Sequence, residues 1–170
     1  LALVAMGQVN ALGVKGFDVS VGALMTLTVV VASHGVLTSD AAWWVMVLGS
    51  IGLLGLGIVV GLINAALIRV LKLPSIVATL ASLSVMQGIA LQLRPEPGGE
   101  ISVDVQDALN TSIGFMPVAF IGVVVMAVLW DLWLYRSGRG LASRAVGHDE
   151  ISSRRIGINA AWVNWRAFVL

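Results

Sequence analysis

Four long runs without a charged side chain constrain the fold of this sequence more than any other feature. They span residues 19–39, 41–68, 73–93 and 112–130. A helix needs about 20 apolar residues to cross the hydrocarbon core of a bilayer, and each run meets or approaches that length. One globular domain could not bury so many uncharged helices, and only 11% of the residues are charged, against about 25% in soluble domains. The sequence therefore predicts an integral membrane protein.

The two ends of the sequence are apolar as well. Residues 1–14 and 160–170 have the composition of parts of two further helices. We therefore expect an all-α, polytopic transmembrane helical bundle with about five or six membrane segments, in a single domain over 1–170. Because the sequence begins without methionine and stops inside the run AWVNWRAFVL, we expect a fragment of a longer subunit.

The polar connections between the runs alternate in charge. Segment 69–72 is basic, segment 94–111 has a net charge of −3, and segment 136–155 has a net charge of +3. Basic loops stay on the cytoplasmic side of a membrane. The predicted cytoplasmic segments are therefore 69–74 and the loop 136–159, and the predicted periplasmic segments are 34–40 and the loop 94–112.

The aromatic residues agree with this orientation. Trp and Tyr prefer the headgroup level of a bilayer. Trp43 and Trp44 begin a run on the predicted outer side. The predicted inner surface carries Trp130, Trp133, Tyr135, Trp162 and Trp165.

Uncharged polar side chains occur inside the apolar runs. Asn64 could form a hydrogen bond between helices or line a pathway, and both interpretations remain open. Thr79 and Ser82 lie near one side of a helix, and a weakly polar stripe in a membrane faces the bundle interior or a wet cavity. Such hydroxyls also bond to their own helix backbone. The predicted substrate path consists of Ser20, Asn64, Thr79 and Ser82, and its lack of charge indicates a neutral polar solute.

The segment VKGFDVSVG at 14–22 interrupts the apolar pattern. Gly16 and Gly22 flank Asp18 in a predicted structural turn, and Asp18 or Ser20 could cap the following helix. An ionised aspartate at the bilayer centre costs about 2.5–3.5 kcal/mol. The segment is therefore either a short cytoplasmic turn or a helix break lined by protein, and charge alone favours the turn.

Small residues are spaced for close helix contact in the second run. Gly57 and Gly61 form a GxxxG pair that Ala65 extends. Small residues at this spacing let helix backbones approach closely inside a membrane. We expect this face to pack within the subunit rather than to form a dimer interface.

The loop RSGRGLASRAVGHDEISSRRIGIN at 136–159 predicts a two-turn helix over 149–156 at the membrane face. Acidic residues suit the first turn of a helix and cations suit its last turn, and glycine can end it. A loop that only touches anionic lipid through its arginines needs neither feature, so the pattern favours docking to a protein. The defining residues are Gly147 before the helix, Asp149 and Glu150 in its first turn, Arg154 and Arg155 in its last turn, and Gly157 after it.

The sequence carries no pattern typical of catalysis. It has no cysteine and no GxxxxGK[ST] loop for nucleotide phosphates. His34 and His148 fall on opposite predicted faces and could not share a metal ion. Ser20 and His34 would lie roughly 21 Å apart on one helix. We expect no enzyme, no metal site and no cofactor bound by this chain.

Four blocks of the sequence resemble a known family. They are GFDVSVG at 16–22, GLINAALI at 61–68, LPSIVATLASLSVMQGIAL at 73–91 and RAVGHDEISSRRIGIN at 144–159. In order and spacing they are similar to the permease subunit of bacterial ABC importers of the ribose/xylose type, over nearly the whole sequence. The wider superfamily includes permeases for branched-chain amino acids and nucleosides, so these solutes remain alternatives, as does a non-transporting scaffold or inactive truncated paralogue.

The resemblance implies a transporter subunit about twice as long as this sequence. Two permease subunits, identical or different, would form the path through the bacterial cytoplasmic membrane. Two cytoplasmic ATPase subunits would supply the energy by hydrolysing ATP with bound magnesium. A periplasmic binding protein would deliver a monosaccharide. Membrane lipid is the remaining expected partner, and no nucleic acid is expected.

The resemblance also implies a role for the loop at 136–159. In the family this loop carries a coupling helix that docks on the ATPase. Its pattern falls on Ala145, Gly147, Asp149, Glu150, Arg154, Gly157 and Ile158. Ser152 and Ser153 stand where the family has alanines, and Asp149 stands where it has asparagine, so we expect docking tuned to one particular partner.

Overall fold

The computed structural model describes residues 2–38, 41–96, 98–99, 101–114 and 116–169. These ranges are mostly helical, which confirms the all-α prediction. The helices are α1 (Ala2–Gly13), α2 (Val21–Val31), α3 (Trp43–Arg69), α4 (Ser75–Leu93), α5 (Val103–Asn110), α6 (Val118–Arg136), α7 (Gly138–His148), α8 (Glu150–Arg155) and α9 (Ala160–Val169). A π-helical turn, Ala32–Val36, follows α2, and the short strands β1 (Ser112–Ile113) and β2 (Met116–Pro117) pair antiparallel.

Within the described ranges, three helices, α3, α4 and α6, are long and apolar enough to cross a bilayer. The 27 residues of α3 extend about 40 Å. Two shorter apolar helical stretches, Leu3–Gly13 and Val21–His34, accompany them. The prediction of a polytopic membrane bundle is confirmed.

The boundaries of the last long span differ from those of the uncharged run at 112–130. The strands Ser112–Ile113 and Met116–Pro117 occupy the start of this run, and α6 begins only at Val118 and continues to Arg136. Pro117 is the N-cap of α6, and its backbone is extended with φ −61° and ψ 137°, so the helical conformation starts at the next residue. The helix also includes Asp131, so lack of charge alone placed the span about one and a half turns too early.

Small and larger apolar side chains interlock at the centre of the bundle, where α2, α3 and α4 meet. Its buried apolar residues are Ala23, Leu27, Val60, Met86 and Ala90. In lipid, helices associate through close van der Waals packing, which small residues allow.

The close-packing face of α3 contacts α9 within the same chain. A Cβ added to Gly61 would lie 2.3 Å from the Phe168 carbonyl oxygen, and Ala65 is completely buried beside it. Gly57 has nothing within 4 Å and does not take part in this contact. The expected packing within the subunit is therefore formed by the C-terminal part of the small-residue face.

The predicted inner and outer segments lie at opposite ends of α3. Arg69, at the C-terminal end of α3, contacts Glu150 at 3.3 Å, which brings two basic segments to one end. At the other end, the Ser102 N–H donates to the Leu37 carbonyl oxygen at 2.7 Å, and Arg94 Nη2 donates to the Ser33 carbonyl oxygen at 3.2 Å. The grouping of loops by charge therefore agrees with their positions in the fold.

Candidate functional site: a polar helix break and a capped surface helix

The segment between α1 and α2 is a helix break whose backbone is bonded to side chains of neighbouring helices. The Phe17 N–H donates to Ser75 Oγ at 3.1 Å, and the Val19 N–H donates to Thr79 Oγ1 at 3.2 Å. The side chain of Gln8 in α1 donates to the Asp18 carbonyl oxygen. Irregular backbone at membrane depth requires such partners, because each unsatisfied group costs several kcal/mol there. The geometry therefore matches a break lined by protein.

The surface-turn interpretation holds for the start of the same segment. Lys15 has a positive φ of 58°, and its Nζ donates to the His148 carbonyl oxygen at 3.1 Å at the end of α7. Gly16 packs beneath α9, since an added Cβ would lie 2.6 Å from the Phe168 ring. The chain thus leaves the surface at Lys15 and enters the bundle at Gly16.

Asp18 forms an Asx turn and does not cap α2. Its Oδ1 accepts hydrogen bonds from the Ser20 N–H at 2.8 Å and from Ser20 Oγ at 2.6 Å. Capping requires an extended residue before the helix, but Ser20 is already helical, with φ −73° and ψ −15°, and makes no capping bond. The expectation that Asp18 or Ser20 caps α2 was therefore wrong. Gly22 lies inside α2 and does not belong to the turn.

A chain of buried hydrogen bonds runs from the break across α3 to α4. Asn64 Nδ2 donates to Ser20 Oγ at 2.9 Å, and Ser82 Oγ donates to Asn64 Oδ1. Asn64 is 0% exposed and Ser20 is 1% exposed. We call the series Asp18–Ser20–Asn64–Ser82 the polar chain. In this conformation it joins three helices and offers Asn64 no contact with solvent.

A cleft of about 670 Å³ lies beside the polar chain, between α1, α2, α3 and α9. Of the predicted path residues, Ser20 and Asn64 line this cleft. Thr79 instead bonds to the break and to the Ser75 carbonyl oxygen of its own helix at 2.9 Å, and Ser82 joins the polar chain through Asn64. The polar residues on the cleft wall are Gln8, Asp18, Ser20, Thr28 and Asn64.

Gln8 and Thr28 are polar cleft residues that the sequence reasoning missed, and Gln8 is the more informative of the two. Its Oε1 is buried, with no hydrogen-bond donor among the residues that the structure describes. Gln8 and Asn10 are the polar side chains of the otherwise apolar and small-residue helix α1, and that contrast was the available signal.

At the basic end of the bundle, α8 confirms the short helix predicted over 149–156. Asp149 is its N-cap, and Asp149 Oδ1 accepts from the Ile151 N–H at 2.9 Å. Gly157 follows the helix with φ +87°. The Gly157 N–H donates to the Arg154 carbonyl oxygen at 3.1 Å, and the next N–H donates to that of Ser153 at 3.0 Å, which is the Schellman ending that glycine favours.

Two details of this prediction need correction. Asp149 precedes the first turn as the cap, because its backbone is extended with φ −151°. Gly147 does not end a helix but lies within α7, which continues through His148. A Cβ added to Gly147 would lie 1.8 Å from the Gly13 carbonyl oxygen. Glycine is therefore needed there for the close crossing of α7 and α1.

Glu150 connects α8 to the end of α3. Its Oε1 accepts from Arg154 Nη2 at 2.7 Å and from Arg69 Nη1 at 3.3 Å. Partial burial raises the pKa of Glu150, but the hydrogen bonds from Arg154 and Arg69 outweigh burial and hold the pKa below its ordinary value. For Asp149, the hydrogen bonds from the Ser152 side chain and the Ile151 N–H lower the pKa.

Three of the predicted coupling residues flank α8: Ala145 and Gly147 precede it, and Ile158 follows it. Ala145 and Gly147 lie in the last turns of α7, and Ala145 accepts the Asp149 N–H at 3.0 Å. Ile158 packs against Val146, Ala160 and Val163 and fixes the exit from α8. Ile151 in α8 is 67% exposed, and Ile156, the C-cap residue that follows this helix, is 75% exposed.

Apolar spanning helices, a protein-lined break and a capped helix at one end define a multi-pass α-helical membrane protein. A family model described as "Branched-chain amino acid transport system / permease component" matches residues 1–170, and the chain belongs to this family. The match confirms the resemblance to importer permeases. The description of this family is that of a permease component of a transport system.

Similar proteins carry related names. The galactofuranose transporter permease protein YtfT of Escherichia coli (strain K12) is 28% identical over 174 residues, covering 100% of this chain and 49% of the relative. The autoinducer 2 import system permease protein LsrC of Salmonella paratyphi B is 30% identical over 174 residues, covering 100% of this chain and 48% of the relative. The chain therefore spans about half the length of the curated relatives it matches. No solved structure gives a significant match.

Proposed function

We propose that this chain is part of the permease subunit of an ATP-driven importer for a small neutral polar solute of the monosaccharide class. The observation that carries the proposal is the family match over residues 1–170. The relatives named for galactofuranose and autoinducer 2 transport support this class of solute. So do the polar groups of the cleft wall, four of which are uncharged: Gln8, Ser20, Thr28 and Asn64.

The cleft between α1, α2, α3 and α9 is the proposed segment of the path. Its volume of about 670 Å³ falls within the range of about 300–1,000 Å³ that is usual for small-molecule pockets. Gln8 Oε1 gives this cleft a buried acceptor without a donor among the described residues, which a solute hydroxyl can fill. Asn64 and Ser20 are buried and bonded to each other and to Ser82 and Asp18, so they would meet solute only when α2 and α3 separate.

A second candidate solute is a branched-chain amino acid. The family description favours it, and so does the Asp18 carboxylate on the cleft wall, which could pair with an ammonium group. The two candidates differ in their need for the Asp18 charge. An ammonium group would pair with the carboxylate, whereas a neutral solute would leave Asp18 with its two hydrogen bonds from Ser20. Asp18→Asn would abolish ammonium recognition and would leave neutral solutes largely unaffected.

We further propose that the basic end of the bundle faces the cytoplasm of a bacterial inner membrane and that α8 docks on a separate ATPase. The positive charge of this end supports the orientation. The exposed Ile151 and Ile156 supply an apolar contact, and Glu150 joins α8 to Arg69. Asn64 lies five residues before Arg69, about 7.5 Å along α3, so force on α8 would reach the polar chain through one helix. A second permease subunit and a periplasmic binding protein complete the proposed assembly.

Uptake by the full-length subunit with its ATPase and binding protein tests the proposed solute class. We expect energy-dependent uptake of a labelled monosaccharide, and we expect Gln8→Leu to lower it about 3- to 10-fold, the value of one neutral hydrogen bond. Gln87→Leu is the matched control, because Gln87 is exposed on α4 outside the cleft. Uptake of branched-chain amino acids alone would reject the sugar assignment, and no uptake of either class would reject the transport proposal.

Co-purification with an ATPase tests the docking surface separately. Ile151→Ser combined with Ile156→Ser should reduce the ATPase recovered with the full-length subunit. Leu141→Ser is the matched control, because Leu141 is 59% exposed on α7 outside α8. Equal recovery with both variants would contradict docking through α8.

A further inference from the structure

A second cleft, of about 420 Å³, lies at the basic end between α6, α7 and α9. It belongs neither to the polar chain nor to the exposed face of α8. Two arginines and two tryptophans form its polar part, and the end of α6 forms its apolar part. The lining residues are Met126, Leu129, Trp130, Trp133, Arg139 and Arg166.

Aromatic rings hold the guanidinium of Arg166 in place. Its Cζ lies 4.7 Å from the centroid of the Trp162 ring and 5.4 Å from that of Trp133. Trp133 in turn contacts Trp130, with ring centroids 5.2 Å apart. Cation–π contacts of this kind orient a guanidinium without neutralising it. The positive charge therefore remains available to an anion.

This cleft combines hydrogen-bond donors with positive charge, and the one acceptor recorded for them among the described residues is the Arg139 carbonyl oxygen, to which Arg166 Nη2 donates at 3.4 Å. Arg166 Nε and Trp130 Nε1 are buried and have no hydrogen-bond partner among the described residues. Among the described residues, no carboxylate oxygen lies within 4.0 Å of a side-chain nitrogen of Arg139 or Arg166. The ion pairs found there join Glu150 to Arg69 and to Arg154. Arg139 also lies in the first turn of α7, which has no acidic residue and where the helix dipole favours an anion.

We propose that this cleft binds the headgroup phosphate of an anionic phospholipid, such as phosphatidylglycerol. Guanidinium groups bind phosphate oxygens through paired hydrogen bonds, and tryptophan side chains prefer the headgroup level. Basic pockets between membrane helices bind anionic headgroups in this way. One acyl chain would lie along Met126 and Leu129 on α6, which has no buried residue among those described. The site depends on the membrane location of the chain and is independent of the proposed solute.

Quenching by brominated lipids tests this site in the full-length subunit. Trp43, Trp44 and every tryptophan of the subunit outside residues 1–170 are replaced by Phe, so the signal reports the tryptophans of the basic end. Brominated phosphatidylglycerol and brominated phosphatidylcholine are then titrated in detergent micelles. We expect the anionic lipid to bind more tightly by about fivefold for each of the two arginines.

Charge-removing variants locate the site. Arg139→Gln with Arg166→Gln should abolish the preference for the anionic lipid, whereas Arg136→Gln, at an exposed position outside the cleft, should retain it. Arg166→Lys keeps the charge and should keep most of the preference, which separates loss of charge from loss of fold. Equal binding of both lipids by the unmodified protein, or a preference that survives the double change, would overturn the proposal. Displacement by millimolar inorganic phosphate would identify a free-anion site and overturn the lipid assignment.

Discussion

Replacement of Asn64 by alanine removes the central member of the polar chain and should destabilise the bundle measurably. Two hydrogen bonds are lost, one to Ser20 and one from Ser82. Hydrogen bonds between membrane helices contribute about 0.6 kcal/mol on average and at most about 1.7 kcal/mol. The two bonds together therefore contribute about 1.2 kcal/mol, with an upper limit near 3.4 kcal/mol.

Two further effects act in opposite directions on this value. The site is 0% exposed, so truncation leaves a small void that the surrounding helices fill only partly. The freed hydroxyl of Ser82 can bond to the backbone of its own helix and recover part of the loss. We therefore expect a total loss of about 1–2 kcal/mol in the free energy of unfolding.

Unfolding of the full-length subunit in mixed micelles of increasing denaturing detergent measures this loss. A double-mutant cycle with Ser82→Ala isolates the Asn64–Ser82 bond, and its coupling energy should be about 0.6 kcal/mol. Ser84→Ala is the control, because Ser84 is exposed and, among the described residues, bonds only to the Leu80 carbonyl oxygen of its own helix at 3.1 Å. A coupling energy below about 0.3 kcal/mol, within the usual error of additivity, would refute the role given to the polar chain.

Three further predictions concern the basic end of the bundle. Arg69→Glu and Glu150→Arg should each lower ATP-driven uptake, and the double exchange should restore part of it; equal loss in all three variants would contradict the role of the ion pair. Gly147→Ala should destabilise the subunit by about 1–3 kcal/mol through overpacking against α1, whereas Gly138→Ala, with nothing within 4 Å, should be within about 1 kcal/mol of the parent in thermal unfolding. The lowered pKa of Asp149 means that its cap stabilises α8 above the ordinary pKa of 3.8 and is lost as pH falls through the lower folded value. The protection factor at the start of α8, which corrects the exchange rate for the intrinsic pH dependence of amide exchange, should therefore be constant from pH 7 to 5 and fall only below about 4, and Asp149→Asn should remove this dependence.

The caps of α8 could be predicted from sequence because the groups that define them are close in the chain. Asp149 and Gly157 act on backbone groups within five residues, through hydrogen bonds at the two helix ends. The apolar spans were predictable for a similar reason, since a bilayer imposes its length and polarity on each helix separately. The residue types alone were therefore enough to predict the caps of α8 and the apolar spans.

Contacts across the bundle determine the features that the sequence did not reveal. Gly147 has the local signature of a helix end, yet it lies within α7, and glycine is needed there because the Gly13 carbonyl oxygen occupies the space of a side chain. Asp18 has the local signature of a cap, yet Ser20 takes its carboxylate because the break is already bonded to α1 and α4. In both cases the local sequence does not contain the contacts that matter. Gly147 meets Gly13 of α1, and the break that holds Asp18 is bonded to Ser75 of α4, 58 positions from Phe17.

The ion pair between Arg69 and Glu150 bears directly on how the two halves of the candidate site could act together. The two residues are separated by 81 positions, and either alone is compatible with a solvated charge at a membrane surface. Their contact makes α3 part of both the polar chain and the surroundings of α8, because this helix carries Asn64 in the polar chain and Arg69 beside α8. A rigid helix transmits a displacement along its axis without loss, whereas separate helices would need a second contact. Among the side-chain hydrogen bonds of the described residues, the bond between Ser20 and Asn64 is the one that joins the break to α3. A displacement of α3 would therefore act on the break first through this bond.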